Sequence, residues 1–140
     1  MKDFDIQLDL KPSQASLDEL ADGLNEHSLQ IVEKAGFQPI AFFARDNCDR
    51  LQGGIYGRIN WNWLRVSLLW VSPDNRGSGL GSELLNKLES EATTRGCVNS
   101  HVDTFSFQAR EFYLTNGYAV FAELPDYPAG HSRIYLKKSL

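Results

Sequence analysis

Leu68–Leu69–Trp70–Val71–Ser72–Pro73–Asp74–Asn75–Arg76–Gly77–Ser78–Gly79–Leu80–Gly81–Ser82–Glu83–Leu84–Leu85 is the stretch on which the fold turns. Its apolar opening suits a strand buried on both faces. Pro73, Asp74 and Asn75 end that strand, because proline cannot donate to a ladder and Asp and Asn favour turns. Gly77, Gly79 and Gly81 then lead into a helix whose Leu80, Leu84, Leu85, Leu88 and Ala92 share one face. Glu83/Lys87 and Glu91/Arg95 are i,i+4 pairs on that helix, and Gly96 stands where it should stop. Strand, glycine turn and helix together make an anion site: the first helical N–H groups lack partners, the dipole favours negative charge, and glycine admits close approach.

Outward from this stretch the chain alternates between periods. Phe4, Ile6, Leu8 and Leu10 alternate with Asp5, Gln7 and Asp9 as in a half-buried strand. Ser16 is placed to cap a helix running to about His27, with Leu17, Leu20, Ala21 and Leu24 inward, and residues 28–36 are ambiguous. Pro39–Arg45, Leu51–Asn60 and roughly Asn62–Ser72 read as an antiparallel meander entering the glycine turn. Val98–Thr104 is a further strand, parallel to its predecessor because a long helix connects them. A short helix begins at Ser106 or Phe107 and ends at Asn116–Gly117. Tyr118–Leu124 and Ser132–Lys138 close the chain as a hairpin. The expected class is α/β (α+β): one domain over residues 1–140, with a mixed, mostly antiparallel sheet of about six to seven strands and about four helices.

A chain of 140 residues can bury a core without disulfide or metal support. Its net charge of −4 argues against nucleic acid as a partner. Cys48 and Cys97 form no C-x-x-C, and the three histidines (His27, His101, His131) are widely spaced, so no metal site is expected. No apolar run reaches the ~18 residues of a membrane span, and the first residues lack a signal peptide's apolar core. The reading is a cytoplasmic protein with reduced thiols and no membrane partner.

Three phosphate-loop patterns compete for the glycine turn. A mononucleotide loop requires Gly-Lys-Ser/Thr, but Gly81–Ser82 is followed by Glu83. A dinucleotide fingerprint requires a third glycine where Ser82 stands, in the first unit of a parallel sheet. The remaining pattern, Arg76-Gly77-Ser78-Gly79-Leu80-Gly81, resembles the acetyl-CoA signature Q/R-x-x-G-x-G/A of the GNAT superfamily of N-acetyltransferases. Downstream, Ala109–Arg110–Glu111–Phe112–Tyr113–Leu114–Thr115–Asn116–Gly117–Tyr118 resembles that family's A-x-x-F/L-Y-x-x-x-G-F/Y segment. The element order from Gln38 to Leu140 agrees.

The resemblance implies an acetyl-CoA cosubstrate whose pyrophosphate rests on the amides of Arg76, Gly77, Ser78, Gly79, Leu80, Gly81 and Ser82. It implies a pantetheine arm paired with the backbone of Leu69, Trp70 and Val71, and a hydrogen bond from Tyr113 to the departing thiolate. The family's asparagine against the pantetheine is replaced here by Ser106, with Gln108 as a substitute. Between Trp63 and Ser72 there is no Asp, Glu or His, so the family's strand glutamate base is missing. Asp103 is the first candidate for a base, and a water chain, Asp126 and His131 are the alternatives; a capping role suits Asp103 equally. Tyr56, Trp61, Trp63 and Tyr127 are candidate walls for a small-molecule amine, with Asp126 or Glu123 facing its charge. Trp61 and Trp63 fit a homodimer contact as well. The expected activity is direct acetyl transfer to a primary amine; a CoA-binding module without catalysis and a protein N-acetyltransferase are the rivals.

Overall fold

The computed structural model describes residues 3–33 and 36–140. Two compact units divide the chain at residues 34 and 35.

In the first unit, helix α1 spans Gln14–Ser28. Its cap is Ser13, whose side chain accepts from the Ser16 N–H at 3.1 Å. Ser16, the expected cap, is therefore already inside the helix. The alternating segment Phe4–Leu10 forms no strand, since alternation supplies a face but not the neighbouring ladder that satisfies strand N–H and C=O groups. Residues 29–32 form turns, with no second helix. The described residues thus hold three α-helices and one 3-10 turn, not about four helices.

The second unit is built on six strands: β1 (Gln38–Arg45), β2 (Leu51–Asn60), β3 (Trp63–Val71), β4 (Asn99–Phe105), β5 (Ala119–Pro125) and β6 (Ser132–Ser139). Their spatial order is β1-β2-β3-β4-β6-β5. Among the described residues only β3 and β4 are parallel, and α2 (Leu80–Thr94) is the crossover between them. The predicted meander, crossover and closing hairpin are all present. The sheet is mixed and mostly antiparallel, as the sequence predicts, with strands at the low end of the expected number.

Helix α2 lies on the sheet through Leu84, Leu85, Leu88 and Ala92, which are buried against Ile55, Leu64, Val66, Ile134 and Leu136. It comes close because β2 offers glycine beneath it. A Cβ on Gly57 would stand 3.0 Å from Leu88 Cδ2 and 2.9 Å from the Arg65 carbonyl oxygen. One buried polar cluster ties the helix to the sheet. Glu89 accepts from the Tyr118 hydroxyl at 2.9 Å and from Lys138 Nζ at 3.0 Å, and that hydroxyl also pairs with Ser100 Oγ at 2.7 Å. The lysine compensates a carboxylate whose burial alone would be costly. Burial also drives the Tyr118 phenol far above its ordinary range.

Helix α3 spans Arg110–Thr115 and starts later than expected. Gln108 Oε1 accepts the Phe105 N–H at 3.2 Å, and the Ala109 N–H donates to Thr104 Oγ1 at 3.3 Å. Those side chains hold residues 106–109 in a turn and compete with helix there.

Candidate active site

Strands β3 and β4 start together and then part. Their parallel pairing runs only from Trp63↔Asn99 to Val66↔Val102. At that point β3 carries an extra residue, since Gly57 opposes Val66 while Tyr56 opposes Leu68. Ser67 is the bulge, and a bulge bends its strand. β4 instead continues along β6 as far as Phe105↔Arg133.

Backbone direction beyond the bulge follows from the ladder. Ser72 N–H donates to the Gln52 carbonyl at 2.8 Å, while its own carbonyl accepts from the Asn75 N–H at 3.0 Å, so residue 72 turns its N–H toward β2. In an antiparallel pair such residues alternate. Trp70 and Leu68 therefore also face β2, and Leu69 and Val71 turn their N–H and C=O groups into the opening toward β4. The Val71 carbonyl bears this out by accepting from Arg76 Nε at 3.2 Å. The groups turned into the opening belong to two of the three residues singled out from sequence, with the Val71 carbonyl already taken by Arg76; Trp70 contributes its side chain alone.

The opening is a cleft of about 1030 Å³, at the upper end of small-ligand sites. Leu69, Trp70, Val71, Arg76, Gly77, Gly79, Leu80, Gly81, Ser82, Asp103, Ser106 and Tyr113 all line it. Ser78 does not; its hydroxyl donates to the Asn75 carbonyl at 2.5 Å and shapes the loop from behind. Trp61, Trp63, Tyr56, Glu123, Asp126, Tyr127 and His131 are also absent from the lining. The two tryptophans sit at the β2–β3 turn, at the end of β3 away from the bulge.

Gly77 and Gly79 have φ of +77° and +88°, and a Cβ on either would meet no atom of the chain within 4 Å. Left-handed backbone and open space together explain glycine at both. Gly81 has a different reason: its Cβ would lie 3.2 Å from Phe112 Cε2, so its absence lets α2 and α3 touch. Gly79 caps α2 with no side-chain hydrogen bond. The first intrahelical donor is the Glu83 N–H, to the Gly79 carbonyl at 3.0 Å. That leaves the amides of Leu80, Gly81 and Ser82 without helical partners, beside a Cβ-free cradle. This donor set fits a pyrophosphate, and with the free edge of β3 it fits the arm of a CoA thioester.

Sequence reading missed the brace behind this loop. Gln52 Oε1 accepts from Ser72 Oγ at 3.0 Å and from Asn75 Nδ2 at 2.9 Å, while its Nε2 donates to Asp46 Oδ2 at 3.1 Å. Asp46 in turn takes Arg50 Nε at 2.9 Å, and its carboxyl is held below the usual range, first by the Arg50 backbone N–H at 3.0 Å, then by the Cys48 N–H at 2.8 Å and these side chains. The glutamine is 20 residues before the loop, and nothing local marks it.

Tyr113 is buried on α3 between Phe112 and Tyr118, with ring centroids 5.1 and 5.5 Å away. Burial first, and the Asp103 charge second, push its phenol up to about 12. Asp103 is an ion-pair centre: Arg133 Nε and Nη2 reach Oδ1 at 3.0 and 2.6 Å, and Arg65 Nη2 lies 3.6 Å from Oδ2. Ser106 Oγ accepts from the Ser132 N–H at 3.0 Å, which pins the β4–α3 turn to β6. Among the described residues no group of three or more His, Cys, Asp or Glu could hold a metal, and no helix is long and apolar enough to cross a membrane.

A bulged strand splayed from its parallel neighbour, opening onto an uncapped glycine-led helix, defines an acetyltransferase of the GNAT class. Residues 9–118 match the family model described as "Acetyltransferase (GNAT) family", and the chain belongs to that family. It is 40% identical over 111 residues to blasticidin-S acetyltransferase of Streptomyces morookaense, covering 79% of this chain and 82% of that one. A crystal structure of an acetyltransferase from Bacillus cereus superposes with a TM-score of 0.87 at 27% identity, covering 96% of this chain and 98% of the other. Aminoglycoside 6'-N-acetyltransferase complexed with coenzyme A shares the fold, with a TM-score of 0.65 at 21% identity over 91% of this chain and 81% of that one.

Proposed function

We propose that the protein moves the acetyl group of acetyl-CoA to a primary amine of a small molecule, by direct attack within a ternary complex. The observation that carries this reading is the backbone edge of Leu69 and Val71, whose N–H groups turn into the cleft and run on to the unpartnered amides at the start of α2. The relative named for blasticidin S supports a small-molecule acceptor.

Acetyl-CoA, when bound, supplies the activated acyl group; the chain's own residues supply position and electrostatics. The amides of Leu80, Gly81 and Ser82 hold the pyrophosphate over the Gly77 and Gly79 cradle, with Arg76 as the adjacent cation. The N–H groups of Leu69 and Val71 grip the pantetheine and stabilise negative charge developing on the acyl oxygen. Tyr113 donates a hydrogen bond to the departing sulfur. With the phenol near 12 and a thiol near 8.5, full proton transfer is uphill by about 5 kcal/mol, so Tyr113 stabilises a thiolate and keeps its own proton.

Attack needs a neutral amine. Asp103 lines the cleft, but Arg133 donates twice to one of its oxygens. We assign it the ordering of that arginine ahead of proton abstraction, which leaves deprotonation to water and local charge. The same feature favours a second reading, a CoA-binding module without turnover. A free Cys48 and a buried free Cys97 fit a reducing, cytoplasmic setting. The test is thiol release from acetyl-CoA across a panel of amines: turnover with any of them sustains the transferase, whereas CoA binding with no release on the whole panel sustains the module.

A further inference from the structure

One backbone acceptor in the cleft is already engaged. The Val71 carbonyl turns into the opening beside β4, and Arg76 Nε donates to it at 3.2 Å. Both residues line the cleft, so the guanidinium stands in the opening itself, between the strand edge and the glycine turn.

Arg76 is anchored at its backbone and loose at its head. Its N–H closes the 3-10 turn Pro73–Asn75 on the Pro73 carbonyl at 3.4 Å. The residue before it is fixed as well, since Asn75 Nδ2 donates to Gln52 Oε1 at 2.9 Å and to Ser72 Oγ at 2.8 Å. Beyond that backbone the residue is exposed. Among the described residues no carboxylate pairs with it, whereas Arg95 and Arg133 are each held by one. A guanidinium fork offers several donors, and here one of them rests on a neutral carbonyl.

A phosphate is the better partner for that fork. Hydrogen bonds between ionised groups are about twice as strong as neutral ones, and guanidinium meets phosphate through paired N–H groups. A pantetheine arm makes a different demand. Its amide N–H groups need carbonyl acceptors, and along this edge Leu69 and Val71 turn theirs into the opening. The arm and the arginine therefore claim the same oxygen, while the phosphate and that oxygen claim the same arginine.

We infer that Arg76 selects among acyl donors: it holds the Val71 carbonyl against a pantetheine thioester that carries no phosphate, and yields it to one whose phosphate draws the guanidinium away. This rests on the reading of the cleft as a CoA-thioester site and adds which donors it admits. A phosphate-bearing donor exchanges the partner of Arg76 for a stronger one. A phosphate-free donor must break the Arg76–Val71 contact and leaves the guanidinium with no new partner. The difference between those outcomes is the selectivity.

The test compares S-acetylpantetheine, S-acetyl-4'-phosphopantetheine and acetyl-CoA on the wild type and on Arg76→Met, which keeps an unbranched side chain and removes every donor. Each Kd is read by ligand-observed NMR, and thermal unfolding without a donor is the fold check for this exposed position. Arg76→Met should bind acetylpantetheine about three- to tenfold tighter, the range for one hydrogen bond that no longer has to be broken. It should bind the two phosphate-bearing donors about two- to tenfold more weakly, from the loss of one exposed charge pair. The opposite signs are the signature, because a purely structural role for Arg76 would weaken all three donors together. A variant that binds acetylpantetheine no tighter than the wild type, or that shifts all three donors in one direction, overturns the inference. Acetyl-CoA that fails to bind the wild type removes the site and the selection with it. The expected donor pattern with no thiol release on any amine refutes the transfer alone; thiol release with donor ratios unchanged by Arg76→Met refutes the selection alone.

Discussion

Replacing Tyr113 by phenylalanine separates two consequences of one buried hydroxyl. If Tyr113 donates to the departing sulfur, its loss removes a hydrogen bond to a developing charge. That is about 1.5–3 kcal/mol, or roughly a 10- to 150-fold fall in kcat. CoA affinity should stay within about twofold, because the interaction strengthens only in the transition state. Stability makes an independent statement. The folded phenol titrates near 12 and is largely buried, whereas an unfolded tyrosine titrates near 10. A pKa raised on folding means the unfolded chain loses this proton first, so stability is fully present below pH 10 and falls as pH rises toward 12. At pH 11 the loss is about 1.4 kcal/mol. The Tyr118 phenol is present in both proteins and cancels. Urea denaturation at pH 8 and pH 11 should therefore show the wild type losing about 1.4 kcal/mol more than Tyr113→Phe. Equal losses would refute the buried phenol, and unchanged turnover in a thiol-release assay would refute its role at the sulfur.

Gly79→Asp places a side chain at φ +88°, into the pyrophosphate cradle and with the wrong charge; the CoA-dependent rise in Tm should vanish, and a retained rise would remove the loop from the site. Gln52→Ala leaves Ser72 and Asn75 without their shared acceptor, so the Kd for CoA should rise about five- to tenfold with kcat nearly constant, at a stability cost of about 1–2 kcal/mol; an equal fall in kcat would mean the brace reaches the chemistry. The pH profile of kcat/KM should climb about one decade per unit up to the acceptor amine's pKa. It should show no alkaline descent from Tyr113 before about pH 11, since its phenol is held near 12; a descent near pH 9 would show that a more acidic group does its work.

Local sequence carried the glycine-loop half of the cleft, because its requirements are local. An uncapped helix start and left-handed glycines at 77 and 79 depend on a handful of consecutive residues, and so does the apolar strand before them. The α2 face was legible for the same reason: Leu84, Leu85, Leu88 and Ala92 recur at helical period and bury accordingly. The exceptions within this stretch are instructive. Gly81 resembled another cradle glycine, yet its lack of a Cβ serves Phe112 of α3. The Ser67 bulge was hidden because Leu64 and Val66 hand the core face to Leu69 and Val71 while Leu68 and Trp70 are apolar too, so the change of phase left no polar mark.

The Asp103–Arg133 side of the cleft was illegible, and the reason is distance along the chain. Arg133 meets Asp103 only because β6 pairs with β4 in the register Phe105↔Arg133, and a slip of one residue would turn that arginine to the opposite face. Trp61 and Trp63 were candidate walls by composition, but the direction of β3 carries them to the end of the strand away from the cleft. The N-terminal alternation at Phe4–Leu10 fails similarly: period two describes a face, and a strand exists only where a partner completes its hydrogen bonds. Glycine spacing and apolar period are therefore properties of consecutive residues, readable before folding. Which backbone edge turns into the cleft, and which charges gather around Asp103, are properties of strand register, and register is settled only when distant segments pair.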